Sequence, residues 1–220
     1  MNSNKLALRS FAVVVILAIA IVPQTWSAST YSRHHLINGE EDELRIIGQF
    51  YNYVDIITDV KLDNMLKLTQ NFVQQLLDSI PTEDHGNTAA MLQDYIHNSE
   101  NLRHRRGSME EKEKLLMELQ QLIATIKNGL AKEEKEDIIL RRGLLGMFEL
   151  LARLSIEERK FNDKFSKAAT LLRARMSEES IERHRELFDL LEAVKHEQDI
   201  VLRERLFARF KDIRYHHTAH

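Results

Sequence analysis

A run of basic residues at positions 103–106 is the sharpest chemical motif in the sequence. Arg103, His104, Arg105 and Arg106 precede Gly107, which gives the Arg-x-Arg-Arg pattern that furin-like proprotein convertases cleave in extended, accessible segments. Arg103, Arg105 and Arg106 are therefore candidate recognition residues for processing after Arg106. The alternative is the end of a helix, where basic side chains interact favourably with the helix dipole. The sequence leaves both interpretations open.

Histidines near the C-terminus are the candidate metal ligands. His216, His217 and His220 are residue types that bind zinc or copper, and the spacing of His216 and His220 would place both rings on one face of a helix. No cysteine accompanies them, and no neighbouring residue is suited to orient the rings. We therefore predict no metal site and interpret residues 215–220 as a flexible His-rich tail.

Known catalytic motifs are not found in the sequence. His196-Glu197 is not followed by the second histidine of a zinc protease, and neither a Gly-x-Ser-x-Gly turn nor a phosphate-binding glycine loop occurs. The absence of cysteine excludes thiol chemistry. The glycines at positions 143 and 146 are better interpreted as a close contact between helices. We expect a protein that is not an enzyme and that has no cofactor.

The elements that would carry these residues are predicted to be helices throughout. Seven glycines and two prolines in 220 residues are too few for an all-β fold, which needs frequent turns. Apolar residues recur at helical spacing, and the predicted helices cover residues 41–80 with a possible kink at 59–63, 88–106, 108–129, 140–154, 155–176 and 177–214. Ser108 with Glu111 and Ser155 with Glu158 are predicted capping boxes. Thr88 and Ser177 are predicted to begin their helices, and the helix from Ser177 is expected to be long.

These patterns predict one all-α domain over residues 41–214. The apolar stripes are wide enough for each helix to pack on more than one neighbour, and short connections favour antiparallel packing. We expect an antiparallel bundle of about five to seven amphipathic helices with a long C-terminal helix. No internal repeat of fixed length indicates a solenoid.

The N-terminus has the features of a cleavable signal peptide. Lys5 and Arg9 precede twelve apolar residues at positions 11–22, a run too short to span a bilayer, and small residues follow Pro23. We predict that residues 1–27 are removed and that residues 28–40 form a flexible lead-in. An uncleaved N-terminal anchor is the alternative. No other segment is apolar enough to span a membrane, so we do not expect an integral membrane protein.

Charge and composition limit the partners of the mature chain. Loss of Lys5 and Arg9 with the signal peptide changes the net charge from −3 to −5, which disfavours nucleic acid. A secreted, extracellular protein that binds a protein partner or receptor through a helix face is the leading hypothesis. A carrier of lipids or other hydrophobic ligands is the alternative, because amphipathic bundles without disulfides can open around such molecules. A precursor that is processed after Arg106 is the second alternative.

Overall fold

The structure, a computed structural model, describes residues 39–129, 138–140 and 143–218. These residues contain seven α-helices and no strand, which confirms the all-α prediction. The predicted signal peptide and residues 28–38 of the predicted lead-in lie outside the described residues. None of the described helices combines the length and the apolarity that crossing a membrane requires.

The first helix, α1 (Glu40–Asp78), is one continuous element of 39 residues. It begins one residue before the predicted start and continues without a break through residues 59–63, where the sequence analysis allowed a kink. Its end precedes Pro81, which has no backbone N–H to continue the helix. Ser79 closes the last turn, because its hydroxyl donates a 2.6 Å hydrogen bond to the carbonyl of Leu76. A short 3-10 turn (Thr82–Asp84) follows.

The next two helices are α2 (Asn87–His104) and α3 (Met109–Gly129), and they contact each other. The residue that caps α2 is Gly86, so the prediction that Thr88 begins this helix is wrong by two positions. The capping box of α3 is confirmed. The backbone N–H of Ser108 donates to Glu111 Oε2 at 2.8 Å, and that of Glu111 donates to Ser108 Oγ at 3.3 Å.

The fourth helix, α4 (Met147–Arg175), follows a 3-10 turn (Leu144–Gly146) and joins two of the predicted helices into one. The predicted capping box at Ser155 and Glu158 is wrong. Ser155 lies inside the helix, where its hydroxyl donates back to the carbonyl of Ala152 at 2.7 Å, and Glu158 accepts from Lys61 Nζ at 3.1 Å. A serine in a helix interior often bonds in this way instead of capping.

The C-terminal region forms three helices, α5 (Glu178–Arg183), α6 (Arg185–His196) and α7 (Ile200–Thr218). Ser177 begins α5 as predicted, with its hydroxyl accepting from the N–H of Ser180 at 3.1 Å. The single long C-terminal helix is wrong, since the backbone turns at His184 and is extended at Glu197. Asp199 then caps α7, because its carboxylate accepts from the N–H of residues 201 and 202.

The described residues divide into two compact units, each with its own hydrophobic core. The first unit comprises the described residues of Thr58–Arg159, and its core includes Leu66, Val73, Leu76, Leu92, Ile123, Ile126 and Leu140. The second unit comprises residues 39–57 and 160–218, and its core includes Ile46, Phe50, Tyr51, Phe161, Phe165, Phe188, Leu191 and Phe210. The antiparallel arrangement and the single domain stay predictions.

Candidate functional site

The basic motif at positions 103–106 lies in a tight helix-ending turn of the first unit. The N–H of Gly107 donates to the carbonyl of Leu102 at 2.9 Å, and the N–H of Arg106 donates to that of Arg103 at 3.3 Å. These are the two hydrogen bonds of a Schellman motif, in which one residue adopts a left-handed conformation. Here that residue is Arg106, with a φ of 52°. Glycine usually occupies this position.

Side chains of the same motif bind neighbouring helices. Arg105 makes two hydrogen bonds to the Glu111 carboxylate, at 2.6 and 3.2 Å, and Arg103 donates to Gln70 on α1 at 3.0 Å. The pair with Glu111 raises the pKa of Arg105, and Arg105 in turn lowers the pKa of Glu111. Because convertases bind extended segments and Gly107 is buried, cleavage after Arg106 would require this turn to open. The processing site stays a prediction.

The candidate metal ligands lie at the end of α7. Residues 215–218 of the predicted tail belong to this helix, so His216 and His217 have helical backbone. The side chains of His216 and His217 and the whole of His220 lie outside the part of the chain that the structure describes. In the part of the chain whose side chains are described, no group of three or more His, Asp or Glu residues is placed to hold a metal ion.

Two glycines bring the segment before α4 against α1 in the first unit. A Cβ at Gly143 would lie 2.6 Å from Leu76 Cδ2, and a Cβ at Gly146 would lie 3.6 Å from the Phe72 ring. Both positions therefore face α1 at close range, as expected from the sequence. Leu145, which lies between the two glycines, and Phe148, which follows them, are in contrast exposed.

The side chains that point away form an exposed apolar stripe. Leu145 and Phe148 are each 69% exposed, the highest values among the large hydrophobic side chains that the structure describes. Ala152 is exposed, and Ile156 is 42% exposed. Phe148, Ala152 and Ile156 follow one another at four-residue steps, which places them along one face of α4. We call Leu145, Phe148, Ala152 and Ile156 the outer stripe.

An ion pair borders the outer stripe. Arg153 donates to Glu149 at 2.6 Å, and both side chains are more than half exposed. Apolar positions next to paired charges are typical of a surface that binds another protein, whose centre is apolar and whose rim is polar. The sequence analysis did not single out Phe148, although its four-residue spacing from Ala152 and Ile156 indicates one shared face of the helix.

A buried lysine links two helices of the first unit, and the sequence analysis missed it. Lys112 on α3 is 2% exposed, and its Nζ lies 2.7 Å from Asp59 and 2.8 Å from Asp63, one turn apart on α1. Burial lowers the pKa of Lys112, but the bonds to the two aspartates outweigh burial and raise it overall. Since these charges pair with one another, we interpret the cluster as a structural contact.

A second buried polar cluster lies in the second unit, around Glu43 on α1. The side chain of Glu43 is 2% exposed, and its Oε1 accepts hydrogen bonds from Ser180 Oγ at 2.6 Å and from Arg183 at 2.5 Å. These bonds lower the pKa of Glu43, although burial acts in the opposite direction. The cluster fastens the start of α1 to α5. The partners are 137 and 140 positions apart, so no local pattern could reveal them.

An open groove of about 500 Å³ lies between α6 and α7. Its lining combines charged and aliphatic residues: Arg185, Glu186, Asp189, Leu190, Ala193, Leu206 and Arg209. Arg209 donates to Glu186 at 2.8 Å, which joins the two helices. The charged lining makes this groove unsuitable for an entirely apolar ligand.

Comparison with known proteins does not assign this chain to a family. A scan against protein-family models, a search of curated proteins and a search of solved structures find no match to this chain. The function is therefore inferred from the sequence and from the geometry described above.

Proposed function

We propose that this chain is a secreted, non-enzymatic helical protein that binds an extracellular protein partner through the outer stripe. One observation carries the proposal, namely the 69% exposure of both Leu145 and Phe148. Large apolar side chains that cluster on the surface commonly mark sites of protein binding. An aromatic residue at the centre of such a cluster is a typical binding hot spot.

The backbone beneath the stripe supports the same proposal. Gly143 and Gly146 hold the turn against α1, so Leu145 and Phe148 are presented before any partner arrives. A surface that is already ordered loses less conformational entropy on binding than a flexible one. A partner with an amphipathic helix fits this surface, because apolar residues at helical spacing on the partner would contact Phe148, Ala152 and Ile156.

The packing of the second core favours protein binding over lipid carriage. Phe50, Phe161, Phe165, Phe207 and Phe210 contact one another and Tyr51, with ring centroids 5.3 to 6.1 Å apart. Rings at these distances fill the space between the helices with aromatic contacts. A lipid would have to displace these contacts to enter this core.

The test compares two serine substitutions on the same helix. Phe148→Ser changes the outer stripe, and Leu171→Ser changes a residue of α4 that is 51% exposed and lies outside the stripe. Labelled protein starting at residue 28 is titrated onto intact cells, with and without prior protease treatment of the cells. We expect saturable, protease-sensitive binding that Phe148→Ser weakens at least tenfold, roughly 1.4 kcal/mol or more, as for a hot-spot residue. Leu171→Ser should bind like the wild type.

Three results would contradict the proposal. Equal binding of both variants would show that the outer stripe is not the contact surface. Binding that survives protease treatment and is reproduced on phosphatidylcholine vesicles would favour the lipid carrier. Sedimentation of the chain alone as a dimer, lost only in Phe148→Ser, would mean that the stripe binds a second copy instead of a different protein.

A further inference from the structure

Only one of the two carboxylate oxygens of Glu43 accepts hydrogen bonds. Its Oε1 accepts from Ser180 and Arg183, whereas its Oε2 is buried and accepts no hydrogen bond. The ring of His184 lies beside this oxygen, with its Nε2 3.7 Å from Oε2. This distance is too long for a hydrogen bond and short enough for strong attraction once the ring is charged. The side chain of His184 is 14% exposed, so solvent screens this attraction only in part.

The surroundings of the carboxylate determine what the histidine can do. Helix α1 contributes Glu43, and α5 contributes Arg183, which also donates to Glu179 at 2.9 Å. Ser180 is held by Ser177, with their hydroxyl oxygens 2.6 Å apart. Arg183 keeps its charge at any pH at which the protein is folded, and serine hydroxyls do not titrate there. His184 is therefore the group of this cluster that changes charge near neutral pH.

We propose that Glu43 and His184 form a proton-dependent clasp that fastens the first turns of α1 onto the α5–α6 junction. When His184 gains a proton, its ring becomes positively charged and attracts Oε2, so both carboxylate oxygens then lie beside a cationic group. When His184 is neutral, this attraction is absent, and the buried Oε2 stays without compensation for the water it has lost. The start of α1 therefore opens more readily at neutral pH than at mildly acidic pH.

The two titrations limit the clasp to a window of pH. Protonation of the His184 ring in mild acid adds an attraction to the Glu43 carboxylate, and this strengthens the clasp. Glu43 has a lowered pKa, so its own contribution is present above the ordinary carboxylate range and is lost when stronger acid protonates it. The clasp is therefore expected to be tightest in mildly acidic solution, where the His184 ring carries a proton and the Glu43 carboxylate does not. A secreted chain would be more firmly closed in acidic compartments than outside the cell.

Hydrogen exchange measured by mass spectrometry tests the clasp on the full mature chain. After correction for intrinsic exchange rates, the amides of residues 43–50 in the wild type should be about three to ten times better protected at pH 5.5 than at pH 7.5, a range appropriate to one partly exposed ion pair. His184→Gln should remove this difference. His196→Gln is the matched control, because His196 pairs with Glu192 at 3.1 Å on an exposed surface of α6 and should retain the wild-type response.

A second measurement decides the case if His184→Gln fails to fold. The ring of His184 is titrated by NMR in the wild type and in Glu43→Gln, where a neutral amide replaces the carboxylate. The clasp requires that the titration midpoint of His184 falls in Glu43→Gln. An unchanged midpoint would overturn the proposal, and so would a pH response of residues 43–50 that persists in His184→Gln. Neither result depends on the outer stripe, so this proposal can fail or succeed independently of the proposed function.

Discussion

Replacement of Arg106 by glycine is expected to stabilise the first unit. Arg106 has a φ of 52°, a left-handed conformation that side chains with a Cβ rarely adopt and that glycine adopts freely. The side chain of Arg106 is exposed, and the hydrogen bonds of the turn described above are made by the backbone and by Arg105. The substitution therefore relieves backbone strain and leaves the hydrogen bonds of the turn in place.

The size of the effect follows from two opposing terms. Relief of the left-handed conformation contributes roughly 1–2 kcal/mol. Glycine also gives the unfolded chain more freedom, which costs about 0.4–1 kcal/mol. The net stabilisation is therefore about 0.5–1 kcal/mol, or a rise in Tm of roughly 1–4 °C for a chain of this size. Arg106→Ala keeps the Cβ, so its free energy of unfolding should differ little from that of the wild type.

Urea unfolding followed by far-ultraviolet circular dichroism measures this difference. The single Trp lies in the predicted signal peptide, so helix content is a better signal than tryptophan fluorescence. The order of stability should be Arg106→Gly above wild type and Arg106→Ala. Arg105→Gly is the control, because Arg105 has a φ of −84° and binds Glu111, and it should be less stable than the wild type. If Arg106→Gly is no more stable than Arg106→Ala, the reasoning from φ is refuted.

Three further substitutions test the surroundings of two glycines and of the buried lysine. In Gly107→Ala the new Cβ would lie 2.1 Å from Leu102 Cδ1, so we expect the free energy of unfolding in urea to fall by about 1–3 kcal/mol. In Gly48→Ala the new Cβ meets nothing within 4 Å, so this substitution should stabilise α1 by roughly 0.5–1 kcal/mol. Equal effects of the two alanines would contradict the close contact at Gly107. Lys112→Met should lower the free energy of unfolding by about 1–2 kcal/mol at neutral pH. This is less than the loss expected on breaking a fully buried ion pair, because the two aspartate partners are 47% and 46% exposed and regain water. The loss in Lys112→Met should shrink at high salt, which screens ion pairs with exposed carboxylates, and an equal loss at low and high salt would show that the ion pairs contribute nothing.

Local signals in the sequence predicted those features that depend on a few neighbouring residues. Ser108 and Glu111 form their capping box because a glycine precedes them and leaves Ser108 outside any helix. Ser155 and Glu158 have the same spacing, yet the residues before Ser155 are already helical, so its hydroxyl bonds backwards. The pattern itself cannot distinguish the two cases, because it does not include the conformation of the preceding turn.

Features that depend on residues far apart in the chain could not be predicted from the sequence. The contact of Glu43 with Ser180 joins positions 137 residues apart, and each residue alone is an ordinary helix-surface type. The outer stripe was missed for a related reason. Phe148 is apolar, and only its 69% exposure in the structure shows that its face of α4 points away from the core. The break before α7 lacks glycine and proline, so Asp199 was its one local signal.

The aromatic core of the second unit affects the order in which the chain can fold during synthesis. Phe50 lies near the beginning of the chain, and its ring contacts Phe210 near the end, with centroids 6.0 Å apart. This core cannot close until α7 has left the ribosome, whereas residues 58–159 follow one another in sequence and can pack earlier. The apolar face of residues 46–57 therefore stays uncovered for most of translation. Chaperone binding to nascent chains should accordingly concentrate on this segment and end once α7 has left the ribosome.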